Sequence, residues 1–220
     1  MTPAPHPWRD ALVAVLALFL PVACLGCDAP DRALCRSCRA ALDERPQRVR
    51  LVGGVRLDAA FEYEGLVRTL LLELKLRGRV DVAGPLGHRT AALVRQALAD
   101  APPGTVVLRV PPSPRGRRRR GFDTVVLLLA RGGVRGTGRL RRVPAPASRL
   151  RAGAGQKERT ALERVAATVG TLRAVRVEGR AVVLVDDVVT TGVTMAEAVR
   201  AVRAAGGRVV RCVATASVEA

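Results

Sequence analysis

The 220-residue chain is 49% hydrophobic, enough for one medium domain with its own core plus a small appendage. Only 2% of residues are aromatic, so Val, Leu and Ala must fill that core, and stacking platforms for nucleic-acid bases are nearly absent. Thirty-seven Lys and Arg against 19 Asp and Glu leave a net charge of +18, which favours polyanionic partners: phosphates, nucleic acid or an anionic membrane. Arginine enrichment from genome composition is the bland alternative.

In chain order, Ala11 to Ala23 is an apolar run behind Arg9 that ends Pro21-Val22-Ala23-Cys24. It imitates a secretion signal with a lipobox-like end, but Asp10 abuts the run and Pro21 stands where an aliphatic residue is wanted. The run is too short to span a bilayer, so we expect a short helix packed on the protein and a cytoplasmic chain. Cys24, Cys27, Cys35 and Cys38 follow as two CxxC pairs, with Cys212 alone elsewhere. Two such knuckles complete a tetrahedral Zn²⁺ site, and in a reducing cytosol a metal is favoured over two disulfides or a redox pair. Residues 1–45 are thus read as an apolar helix and zinc ribbon, and 46–220 as the main domain.

Asp43 to Arg50, with Pro46, reads as a linker, and Val52 to Tyr63 as a hairpin broken at Gly53-Gly54. A helix from Gly65 presents Leu66, Leu70 and Leu74 and closes at Lys75-Leu76-Arg77-Gly78 with cations at its negative end. A second helix covers Pro85 to Leu98, and Thr105 to Val110 is a buried strand running into Pro111-Pro112-Ser113-Pro114-Arg115. Arg117, Arg118, Arg119 and Arg120 are too dense for one amphipathic face and read as a solvated loop able to grip pyrophosphate or a nucleic-acid backbone. Thr124 to Ala130 is helical, Gly132 to Gly138 a connector and Arg139 to Val143 a short strand.

The most informative stretch is Arg180 to Ala205. Ala181 to Val185 is an unbroken apolar run suited to a doubly buried parallel strand, and it ends in Asp186 and Asp187. Thr190-Thr191-Gly192-Val193-Thr194 follows, then a helix expected to start in a capping box of Thr194 and Glu197. Threonine hydroxyls and the Gly192 amide at the positive end of a helix suit a phosphate dianion. Two carboxylates would repel phosphate, but they can accept from the two hydroxyls of a ribose or hold Mg²⁺ through water. Gly206-Gly207 stops the helix, and Arg208 to Ala214 is the next strand.

DDVVTTGVT resembles the motif that binds 5-phosphoribosyl 1-pyrophosphate (PRPP) in type I phosphoribosyltransferases, and the whole chain resembles the ComF (competence protein F) family among them. The resemblance implies an α/β fold with a mostly parallel sheet flanked by helices behind a small N-terminal zinc ribbon. It places Asp186 and Asp187 on the ribose hydroxyls as the catalytic pair, and Thr190, Thr191, Gly192, Val193 and Thr194 on the 5′-phosphate. Lys75, Pro111, Arg115 and Arg120 become pyrophosphate candidates, with helix capping equally open for Lys75. The implied reaction displaces pyrophosphate from ribose C1 with Mg²⁺ neutralising the leaving group.

Three positions depart from pattern. The family's RGFNQ is Arg120-Gly121-Phe122-Asp123-Thr124 here; Leu162 stands where Asn follows the Glu158-Arg159 dipeptide; and Thr190 replaces the Asp that purine-type enzymes use as a base. The family is associated with DNA uptake in competence. The alternative is therefore a catalytically idle accessory protein that uses the zinc ribbon and Arg117 to Arg120 on single-stranded DNA beside DNA-processing machinery.

Overall fold

A computed structural model describes residues 22–30, 32–144 and 168–218. The expected amino-terminal helix, the Glu158-Arg159 segment with Leu162, and the side chain of Arg115 lie outside the described residues. The elements in order are α1 (Arg36–Asp43), β1 (Arg48–Val52), β2 (Val55–Glu62), α2 (Gly65–Arg77), a 3₁₀ turn (Val80–Val82), α3 (Ala83–Ala99), β3 (Val106–Arg109), α4 (Pro114–Arg120), α5 (Thr124–Arg131), β4 (Arg139–Arg142), β5 (Leu172–Val175), β6 (Ala181–Val189), α6 (Val193–Ala204) and β7 (Arg208–Ser217).

Five strands form one sheet in the order β1-β2-β7-β6-β3, and β4 and β5 form a separate antiparallel ribbon. Only the β1–β2 hairpin is antiparallel within the main sheet; β2–β7, β7–β6 and β6–β3 are parallel. The fold is mixed α/β with a mostly parallel sheet, as the sequence suggests. Strand alternation explains why β6 is apolar throughout its first half: Val183 and Val185 enter one core, Val182 and Leu184 the other. The first core takes Leu70, Leu74, Leu86 and Leu128 from α2, α3 and α5, and it also takes Cys24, Leu34 and Leu42 from the cysteine-rich segment. The second takes Met195, Val199 and Val202 from α6 and Leu140 and Leu172 from the ribbon. No helix among the described residues is long and apolar enough to cross a membrane.

Four local expectations need correction. The linker reading of Asp43 to Arg50 is wrong at its end, because Arg48–Arg50 is strand paired residue for residue with β2. The arginine cluster is not a loop but helix α4. Ser113 caps it by accepting from the Gly116 N–H at 3.1 Å, Pro114 starts it, and Gly121 ends it at φ 74°. β6 does not stop at the carboxylates but runs through them to Val189. Nor does Glu197 form a capping box. Gly192 is the N-cap of α6 and makes no side-chain cap, while buried Glu197 accepts from the Gly170 and Leu172 N–H groups at 2.8 and 3.1 Å and pairs with Arg200. β5 carried no signal strong enough to be expected; it exists because β4 supplies a partner across the ribbon.

Candidate active site and metal centre

The carboxyl ends of β3 and β6 open into a polar cavity of about 190 Å³, where open α/β sheets place their ligands. Its wall gathers residues far apart in sequence: Lys75 from α2, Pro111 after β3, Arg120 from α4, Arg142 from β4, and Asp186, Asp187 and Thr194 around the end of β6. Lys75 Nζ donates to Asp187 Oδ1 at 2.7 Å, with both side chains about four-fifths buried. Lys75 is therefore an inward-facing cation, not only a helix cap.

Asp186 Oδ1 accepts from the Asp187 N–H at 2.8 Å. Burial first, and then the Asp187 charge, push the Asp186 carboxyl up to about 8; the same N–H, Lys75 and Arg142 act in the opposite direction without cancelling it. Of the two adjacent carboxyls, Asp187 has the lysine and Asp186 keeps its proton near neutral pH. Arg142 donates from Nε to the carbonyls of Pro111 and Pro112 at 3.2 and 3.1 Å, tying the ribbon to the turn after β3. Burial lowers its pKa, and the Asp186 charge opposes that shift. Asp123 pairs with Arg109 and caps α5 by accepting from Val126 N–H at 3.2 Å, a structural duty for the residue that stands where the resembled family has Asn. Thr124 Oγ1 and Arg120 Nε, both on this wall, are buried with no hydrogen-bond partner among the described residues. Unpaired buried polar groups are costly unless a ligand satisfies them.

The turn from β6 to α6 has two sides. Thr194 faces the carboxylates, whereas Thr191, Gly192 and Val193 line an adjoining space of about 420 Å³ beside Arg50 and Arg200, and Thr190 is exposed. Gly192 sits at φ 78°, a conformation that disfavours any L side chain. Arg50 of β1 secures the turn from behind, donating to Thr190 O at 2.6 Å and Val189 O at 3.3 Å.

Residues 122–220 match the phosphoribosyl transferase domain. The matched segment takes in Arg142, both carboxylates and the threonine turn, while Lys75, Arg120 and the cysteines lie before it. A search among curated proteins finds no match.

Outside the phosphoribosyl transferase match, Cys24, Cys27, Cys35 and Cys38 bring their sulfurs within 4.8 Å of one another, and all five cysteines of the chain are free thiols. Thiolates at about 2.3 Å around a tetrahedral Zn²⁺ sit about 3.8 Å apart, so the donor set fits; Cys27 and Cys35 are already at 3.6 Å. The knuckles offer backbone N–H groups to sulfur, from Gly26 and Cys35 to Cys24 at 3.5 and 3.3 Å and from Cys38 to Cys35 at 3.4 Å. Burial raises the Cys24 thiol, but the N–H donors outweigh it and leave it below its ordinary value. The Ser37 hydroxyl and the Cys38 N–H bring Cys35 down to about 6. A Cβ on Gly26 would lie 2.8 Å from Cys38 Sγ, so the first knuckle requires glycine. Cys212 is buried on the other face of the sheet.

The structure thus brings Asp186, Asp187, Lys75, Pro111, Arg120 and Thr194 around one cavity and sets Arg117, Arg118 and Arg119 outward on α4. Sequence reading missed Arg142 and Arg50. Each is one arginine among many on a short strand, and only the alternation of β1 and β4 marks the side it faces.

Proposed function

We propose that the cavity binds PRPP and that the chain is a ComF-family phosphoribosyltransferase acting in the cytoplasm in a process linked to competence and DNA uptake. The supporting observation is the adjacency of a carboxylate pair to three inward cations, Lys75, Arg120 and Arg142, at the carboxyl end of β6. In this reading Asp186 and Asp187 receive the ribose hydroxyls, and the Thr190–Thr194 turn with the start of α6 receives the 5′-phosphate. Lys75, Arg120 and Arg142 face the pyrophosphate. The bond from ribose C1 to the pyrophosphate oxygen breaks as the acceptor atom bonds to C1. Because charge moves onto the leaving group, prepositioned cations stabilise the transition state more than the ground state. Bound Mg²⁺ would add further neutralisation of the pyrophosphate, and the paired carboxylates, one of which holds its proton because it is buried beside the other's charge, suit a divalent cation through water. Thr190 offers no base at neutral pH, so the acceptor must bring an already competent nucleophile or pass its proton elsewhere.

The test is differential. Asp187→Asn should weaken PRPP far more than inorganic phosphate, whereas Thr194→Val should weaken both. Equal losses in Asp187→Asn would show that the carboxylates only shape the turn.

A second reading has its own support: Arg117, Arg118 and Arg119 are exposed and, among the described residues, have no carboxylate partner. A catalytically idle protein would use them, with the zinc ribbon, on single-stranded DNA. Serine at 117–120 should then flatten the salt dependence of DNA binding; an unchanged slope removes α4 from that role.

A further inference from the structure

A larger cavity, about 620 Å³, lies at the opposite end of the sheet from the carboxylates. It opens between Val106, the first residue of β3, and Arg180, which immediately precedes β6, and four of its lining residues are arginines: Arg139, Arg141, Arg176 and Arg180. Its floor is firmly built. Thr137 and Gly138 donate their N–H groups to Val107 O at 3.0 and 3.2 Å, and Thr137 Oγ1 accepts from Val107 N–H at 3.0 Å, so the connector after α5 seals the edge of β3. Arg180 Nη2 donates to Gly104 O at 3.2 Å.

The charge arrangement is costly as it stands. Arg141 is paired directly opposite Arg173 across the ribbon, a like-charge placement that destabilises a sheet. Arg176 sits at φ 61°, where an L side chain is strained. Among the described residues none of Arg139, Arg141, Arg173 and Arg176 has a carboxylate partner. Glu178, the acidic residue of the Arg176–Arg180 turn, packs toward Gly206 instead of lining the cavity. All four lining arginines are exposed and Arg173 lines a neighbouring space, so the cavity is an open concavity of positive charge that an anion of matching charge density can enter.

We propose that this cavity binds a linear polyphosphate, either free or as the triphosphate end of a nucleotide, independently of the carboxylate pocket. Guanidinium forks suit successive phosphate groups. The apolar lining is confined to Val106 and Val175 and contains no aromatic ring, so a base contributes little to affinity.

Calorimetry on the full chain with sodium tripolyphosphate tests this. Arg141→Ser removes the cross-strand repulsion and Arg176→Gly suits the left-handed backbone, so the double variant should melt no lower than the parent. Its tripolyphosphate affinity should fall by at least about a hundredfold, roughly tenfold for each charge-assisted hydrogen-bonding group removed. A nucleoside triphosphate should bind like tripolyphosphate, and a nucleoside monophosphate far more weakly. Absence of tripolyphosphate binding, or binding untouched by the double variant, overturns the site. A single-stranded oligonucleotide without terminal phosphates that displaces tripolyphosphate at lower concentration also overturns it, making the surface a nucleic-acid interface.

Discussion

The cysteine cluster and the carboxylate pocket are assembled by opposite routes. All four sulfurs come from residues 24–38 and meet because two knuckles close locally, with α1 following directly from Cys35 as its N-cap. The pocket draws on α2, α4, β4 and the ends of β3 and β6, and nothing brings those residues together except the completed sheet and its two cores. A site of the first kind would depend on a bound ion for its shape, whereas one of the second kind is preorganised and can lose a member without losing its shape. The two are nonetheless coupled mechanically. Cys24, Leu34 and Leu42 share the core of α2, the helix that carries Lys75, and Arg89 of α3 donates to Leu42 O, Asp43 O and Arg45 O while stacking 4.5 Å from the Phe61 ring centre.

The largest effect should follow from breaking the local site. Cys24→Ser, or removal of metal by a chelator, should unfold the ribbon, since structural Zn²⁺ supplies on the order of 10 kcal/mol of metal-linked folding free energy. Far-ultraviolet circular dichroism and metal content should change together, and through Leu42 and Arg89 the melting temperature of the remaining domain should drop. A domain that melts unchanged would uncouple the two regions.

Next comes the distributed site. Asp187→Asn removes the Lys75 partner and, in the proposed function, a charged ribose acceptor, so PRPP affinity should fall by about ten- to a hundredfold with the cysteine cluster unaffected. A comparable loss of inorganic phosphate binding would contradict the division of labour between carboxylates and turn.

Gly132→Ala should separate the regions by packing alone. Its Cβ would stand 2.2 Å from Ala91 Cβ and 2.8 Å from Gly87 O, forcing α5 from α3. We expect a stability loss of about 1–3 kcal/mol by urea titration. The shift should reach Thr124 at the start of α5 and leave the cysteines bound.

How much of this was legible in the sequence follows the same division. The CxxC pairs and the Asp-Asp–threonine turn are contiguous, so spacing and residue type announced them. Lys75 was reached through resemblance, and its hydrogen bond to Asp187, 112 positions away, is a product of tertiary structure. Arg142 and Arg50 bear on the pocket and its turn from strands whose arginines look alike in sequence. Two errors were local. Ser113-Pro114 is an ordinary helix start, and its signal was masked by the run of charge behind it. Thr194 and Glu197 have the spacing of a capping box, but Gly192 starts the helix earlier, and burial recruits Glu197 to the backbone entering β5.

A pH dependence is also expected. The Asp186 carboxyl keeps its proton up to about 8, whereas an unfolded aspartyl, at its ordinary 3.8, has already lost it. Between those values the native chain binds more protons than the unfolded one, so this group's contribution is full below about 4 and is lost as pH rises through about 8. Stability should decline across that window, and Asp186→Asn should flatten the decline. A profile identical in the variant would remove Asp186 from the account.

The most direct test of the central claim is calorimetric titration of the unaltered, zinc-loaded protein with PRPP and Mg²⁺ near pH 7, in two buffers of different ionisation enthalpy. The account predicts saturable binding at one PRPP per chain. It also predicts a heat that differs between the buffers, because ribose and cation at the carboxylate pair drive the proton off Asp186. Absence of PRPP binding would contradict the assignment of the pocket outright.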